Sequence, residues 1–96
     1  MAARPAEVNV DIVATDTLIR TGAAKVYWVV VSAGATGGAF QLNDSLTDNG
    51  TDKLSATVAA SSGPETMYFD PPIRFSNGIF VDVPGTNLIV NVAWGP

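Results

Sequence analysis

Catalysis and metal binding need side chains that hold a proton, a cation or a reactive electron pair, and this 96-residue chain offers few of them. It has nine carboxylates, five basic side chains, two tyrosines and a scatter of hydroxyls, with neither cysteine nor histidine. Thiol nucleophiles, zinc fingers, disulfide staples and Ser-His-Asp relays are therefore excluded by residue type. Paired carboxylates can hydrolyse glycosides, and Asp11, Asp16, Asp70 and Asp82 are the candidates, but a cleft for a sugar chain is hard to build from so short a chain. The chain is expected not to be an enzyme and to need no cofactor. Asp44, Asp48 and Asp52 fall four apart around Gly50, yet the Asp-x-Asp/Asn-x-Asp/Asn-Gly register and closing glutamate of a calcium loop are absent, so this stretch reads as a solvated acidic loop with no metal. Gly34, Gly37 and Gly38 are not followed by a Lys-Ser/Thr pair or a helix start, which makes them a bend and not a phosphate cradle.

Charge narrows the partners. The formal net charge of −4 argues against a protein that neutralises many phosphates and against a polybasic membrane patch. Arg4, Arg20, Lys25, Lys53 and Arg74 are scattered singly, without interleaved aromatics, so they read as surface charges or partner contacts and not as a nucleic-acid face. The longest strongly apolar run, residues 26–31, is far short of the about 18 residues a membrane helix needs. Residues 1–7 lack an apolar leader core, so synthesis and retention on the cytosolic side of the cell that makes the chain are expected. The sequons at Asn43 and Asn49 read as turn chemistry.

The elements that must position these groups are short and extended. Val8, Val10 and Ile12 alternate with Asn9, Asp11 and Val13, the period-2 pattern of a strand with one buried face. Residues 17–21 form a second strand and Gly22-Ala23 a turn, before Lys25-Val26-Tyr27-Trp28-Val29-Val30-Val31-Ser32, which has no polar face and must be covered on both sides. Phe40 and Leu42 mark another strand, and Leu54, Ala56 and Val58 a further one after a loop over residues 44–53. Asp70-Pro71-Pro72 offers two consecutive residues without amide hydrogens and is expected to interrupt any ladder. Residues 73–76 and 79–83, separated by Asn77-Gly78, predict a tight hairpin with a type I′ turn. Eight or nine short strands leave no room for a helix of ordinary length. The fold class is all-β: a single-domain β-sandwich, jelly-roll-like, over residues 8–96, with residues 1–7 as an N-terminal arm.

Hydrophobic residues make up 47% of the chain and charged ones 15%, against about a quarter in an average protein. Trp28 beside Tyr27, and Trp94 near the end, each read either as core or as an anchor between subunits, where Trp and Tyr are enriched. Trp28, Tyr68 and Trp94 also make a carbohydrate- or receptor-binding module conceivable as a third class of function.

The series Lys25-Val26-Tyr27-Trp28-Val29-Val30-Val31, Gly37-Gly38-Ala39-Phe40-Gln41-Leu42-Asn43-Asp44-Ser45, Phe69-Asp70-Pro71-Pro72-Ile73, Ser76-Asn77-Gly78-Ile79 and Val83-Pro84-Gly85-Thr86 resembles small virion structural proteins of tailed bacteriophages, most closely the capsid decoration (cement) proteins. The likeness covers about residues 17–94 and lies in strand-and-turn texture; no family site residue transfers through it. It implies a β-sandwich on the outside of a head shell, often a trimer, without catalysis or cofactor, whose partners are copies of itself and the major capsid protein or other virion proteins. The contact residues expected on this reading are Arg4, Tyr27, Trp28, Val29, Arg74 and Trp94. The alternative within the same class is a tail, adaptor or fibre-associated β-domain.

Overall fold

Two four-stranded antiparallel sheets lie face to face in a computed structural model that describes residues 8–61, 63–84 and 87–96. In chain order the strands are β1 (Asn9–Val13), β2 (Thr17–Thr21), β3 (Ala24–Ala33), β4 (Gly38–Asp44), β5 (Thr51–Val58), β6 (Glu65–Phe75), β7 (Gly78–Asp82) and β8 (Leu88–Gly95). One sheet has the order β1-β8-β3-β6 and the other β2-β7-β4-β5. Strand 1 pairs with 8, 2 with 7, 3 with 6 and 4 with 5, so the chain is one long nested hairpin rolled into two layers, which is the jelly roll. The expected arm over residues 1–7, with Arg4, lies outside the described residues.

Alternation decides what fills the space between the layers. Val26, Val29, Val31, Val90 and Val92 project from one sheet and Phe40, Leu42, Val58, Ile79, Val81 and Val83 from the other, all fully or almost fully buried. Each such side chain contributes about 1.5–3 kcal/mol relative to an exposed one. The molecule measures 38 × 32 × 17 Å, and its short axis is that of two sheets about 10 Å apart with their outward side chains.

One sequence expectation changes here. The Asn77-Gly78 pair does not close a hairpin, because β6 and β7 belong to different sheets. A type I′ turn needs positive φ at both central residues, and among the described residues only Ser61, Gly22 and Gly37 have it. The chain crosses between layers instead, and Asp44 at the end of β4 holds the corner. Its carboxylate accepts the backbone N–H of Ser76 at 3.0 and 3.1 Å and that of Asn77 at 2.7 Å. Gly78 is required for close approach, since a Cβ there would meet the Arg20 carbonyl oxygen at 2.6 Å and Leu46 Cδ2 at 2.9 Å.

The prolines interrupt the ladder as expected, but within one strand. β6 runs continuously through a cis Asp70-Pro71 bond at the edge of its sheet. Its ladder with β3 steps from Ile73 opposite Val26 to Tyr68 opposite Trp28, so the missing amides fall where the register shifts. Among the described residues the β4–β5 pair is the one sequence-adjacent pair of strands hydrogen-bonded in a single sheet, and its connection is residues 45–50, shorter than the loop expected from composition.

Candidate functional site

The sheet faces turned away from the core carry whatever this protein presents to others. On the β1-β8-β3-β6 sheet the register builds that face in rows. Val10 stands opposite Ala93, Ala93 opposite Trp28, and Trp28 opposite Tyr68, an apolar row across all four strands. At about 4.8 Å per strand the row is about 14 Å wide. The next row is Ile12, Asn91, Val30 and Thr66, and beyond it Ile89 faces Ser32. No charged residue stands in these rows. Trp28 and Tyr68 have ring centroids 6.4 Å apart with planes tilted by 48°, and Asn91 Nδ2 donates to the Val30 carbonyl at 3.2 Å, lying flat along the sheet.

Exposure on this face is high for such residues: Ile12 is 71% exposed, Tyr68 77% and Val10 54%. The apolar half of β1, expected to face the core, points outward. The inner half carries Asp11, whose Oδ1 accepts the Trp94 indole N–H at 3.1 Å, and Val13, which is buried. Pairing with β8 dictates this, because Asp11 stands opposite inward-facing Val92 and Val10 opposite Ala93. The alternation was legible in sequence, but its direction was not, since period 2 does not say which half faces inward.

The expected contact residues separate accordingly. Trp28 lies half-buried on the outer face, and Tyr27 sits beside it where β3 shifts register. Arg74 is exposed on β6 opposite Lys25. Val29 must be withdrawn as a contact residue, because it is wholly enclosed between the sheets. Trp94 packs against the core, with the Arg20 guanidinium 5.6 Å from its ring centroid, so it closes the interlayer edge and does not reach the outer apolar face. The exposed side chains that sequence reasoning did not select are Val10, Ile12 and Ile89; Tyr68 appeared there only as a possible stacking residue.

The outer face of the other sheet is acidic. Asp16, Asp48 and Asp82 come from the β1–β2 connection, the β4–β5 connection and β7, and each offers a carboxylate oxygen within 4.8 Å of the others. Asp16 is anchored by accepting the Val83 N–H at 2.8 Å. Desolvation pushes the Asp82 carboxyl up from its ordinary value, and Asp16, Asp48 and Asp52 push it the same way. Asp44 behaves oppositely: desolvation alone would raise it, but the amides of Asn77, Ser76 and Gly78 and the Lys53 charge prevail and hold it below its ordinary value. Asn43 on β4 is fully buried, and neither its Oδ1 nor its Nδ2 has a hydrogen-bond partner.

Compared with protein-family models, with curated proteins and with solved structures, the chain gives no match.

Proposed function

We propose that this chain is a structural virion protein, a capsid decoration (cement) protein that works as a homo-oligomer, a trimer by preference, through contacts with its own copies and with the major capsid protein. The observation that carries the reading is the set of uncharged rows with Val10, Ile12, Trp28, Tyr68 and Ile89 on the outer face of one sheet of a small domain. Apolar residues gathered on one flat sheet face, with aromatics at the centre, have the composition of an interface core. The jelly roll suits the role, being an architecture used for capsid domains, and the family resemblance of the strand-and-turn series points the same way. Fold alone does not assign function, so the argument rests on the face.

A cement protein acts by mass action. Contacts available only on the expanded shell stabilise that shell by their differential binding free energy, and many copies multiply a modest individual gain. Such a role asks for rigid complementarity and no bond chemistry, in keeping with a chain poor in catalytic groups.

Sedimentation analysis of the wild-type protein and of an Ile12→Asp variant, with binding to expanded heads, tests the reading. The wild type is expected to sediment as an oligomer and to bind heads, and the variant to be a folded monomer that binds poorly. A wild-type monomer that ignores expanded heads overturns the proposal. Location at the tail in an electron-microscopy map of the particle would favour a tail or adaptor domain instead. Glycan binding lost on Trp28→Ala would favour a carbohydrate module, for which the 48° tilt of Trp28 against Tyr68 offers no flat platform.

A further inference from the structure

We propose that the outer face of the β2-β7-β4-β5 sheet holds a hard divalent cation of the calcium class, bound by carboxylate oxygens of Asp16, Asp48 and Asp82 beside the buried amide of Asn43. Calcium takes oxygen ligands at about 2.3–2.6 Å, so two ligands on opposite sides of one ion stand about 4.8 Å apart. The three carboxylates each present an oxygen within 4.8 Å of the others, near enough to share one ion of that size. Magnesium demands near-ideal octahedral geometry and gives up its waters reluctantly, which suits it less to three ligands drawn from separate segments.

Asn43 supplies the independent observation. It lies two residues along β4 from Gln41, whose register partner on β7 is Asp82. Strand alternation therefore turns the Asn43 side chain to the face that carries Asp82, diagonally beside it, with Asp52 directly opposite on β5. Asp48 belongs to the connection that follows β4, and its approach to Asp82 means that residues 45–50 fold back over this face. A fully enclosed amide with both polar atoms unpaired costs about 1–3 kcal/mol unless something fills its hydrogen-bonding or ligating capacity. An Asn carbonyl oxygen is a normal calcium ligand, and a cation at the carboxylates would satisfy it directly or through a bound water.

The site is assembled from three separate segments of the fold. The linear calcium-loop pattern is therefore absent, although Asp48 belongs to the acidic stretch between β4 and β5. The proposal is independent of the capsid reading: a monomer that binds no head would still bind the ion.

The test is thermal unfolding and titration calorimetry of the full chain, freed of metal by chelation, with calcium chloride and magnesium chloride as probes. Calcium at 10 mM is expected to raise the Tm by about 5–10 °C, with half-saturation at about 10⁻⁴–10⁻³ M and a smaller effect of magnesium. Asp48→Asn and Asp82→Asn are each expected to abolish the calcium shift while leaving the metal-free Tm at or above that of the wild type, and Glu65→Gln to retain it. Absence of a calcium shift in the wild type, or an equal shift in Asp48→Asn, overturns the proposal.

Discussion

The Asp44 carboxylate accepts the backbone N–H of Asn77 at 2.7 Å across 33 residues of sequence. That bond, with those from Ser76, ties the end of β4 to the corner at which the chain passes from one sheet to the other. Asp44→Ala is expected to destabilise the protein by about 1.5–3 kcal/mol, the range for hydrogen bonds to a charged acceptor, as measured by urea unfolding. Because the folded carboxyl sits below its unfolded value, its contribution is complete above the unfolded pKa and is lost as pH falls through the folded one. The variant should therefore lose less stability than the wild type on acidification below about pH 4.

The two tryptophans should respond differently to truncation. Trp28→Ala is expected to cost the isolated chain about 1 kcal/mol, and not the about 3–5 kcal/mol of a core position, because Trp28 faces outward. Its larger effect should appear in oligomer formation, read by sedimentation at matched concentrations. Equal assembly of wild type and variant would remove Trp28 from the interface.

Gly37 leads into β4 with φ +67°, and a Cβ there would meet the Val58 carbonyl oxygen at 2.5 Å and the Ala60 nitrogen at 2.7 Å. Backbone atoms cannot swing aside as side-chain ends do. Gly37→Ala is expected to cost about 1–3 kcal/mol, and Gly63→Ala, where a Cβ meets nothing, within about 0.5 kcal/mol of zero, by denaturant melts.

Asp82→Asn should stabilise the metal-free protein at neutral pH. A carboxyl whose folded pKa is raised contributes stability below its unfolded pKa and loses it as pH rises through the folded one. At pH 7 the ionised Asp82 therefore works against Asp16, and removing its charge is expected to gain about 0.5 kcal/mol, a size set by its solvent exposure. The gain should shrink toward pH 4, as followed by melting temperature across a pH series.

Strand content was legible in the residues themselves. The run around Val26 and Val31, without a polar face, and Phe40 with Leu42 marked buried strands, because alternation and β-branching act locally and survive without knowledge of neighbours; Val29 of the same run was assigned to a contact surface and is core. Asn77-Gly78 misled for the complementary reason: its local preference for a hairpin was overridden by a carboxylate 33 residues away. The candidate contact face was half legible. Trp28 was recognised as a choice between core and surface, whereas Val10 and Ile12 were read as buried.

By itself, then, the order of residues determined an all-β chain of short strands, without thiol or imidazole chemistry and with an apolar excess. Only the tertiary structure decided which half of each alternating strand faces out, and which acids from distant segments meet. Period 2 is symmetric between its two faces, and that symmetry is broken only by pairing, which set Asp11 opposite Val92, Ile12 opposite Asn91 and Trp28 opposite Tyr68.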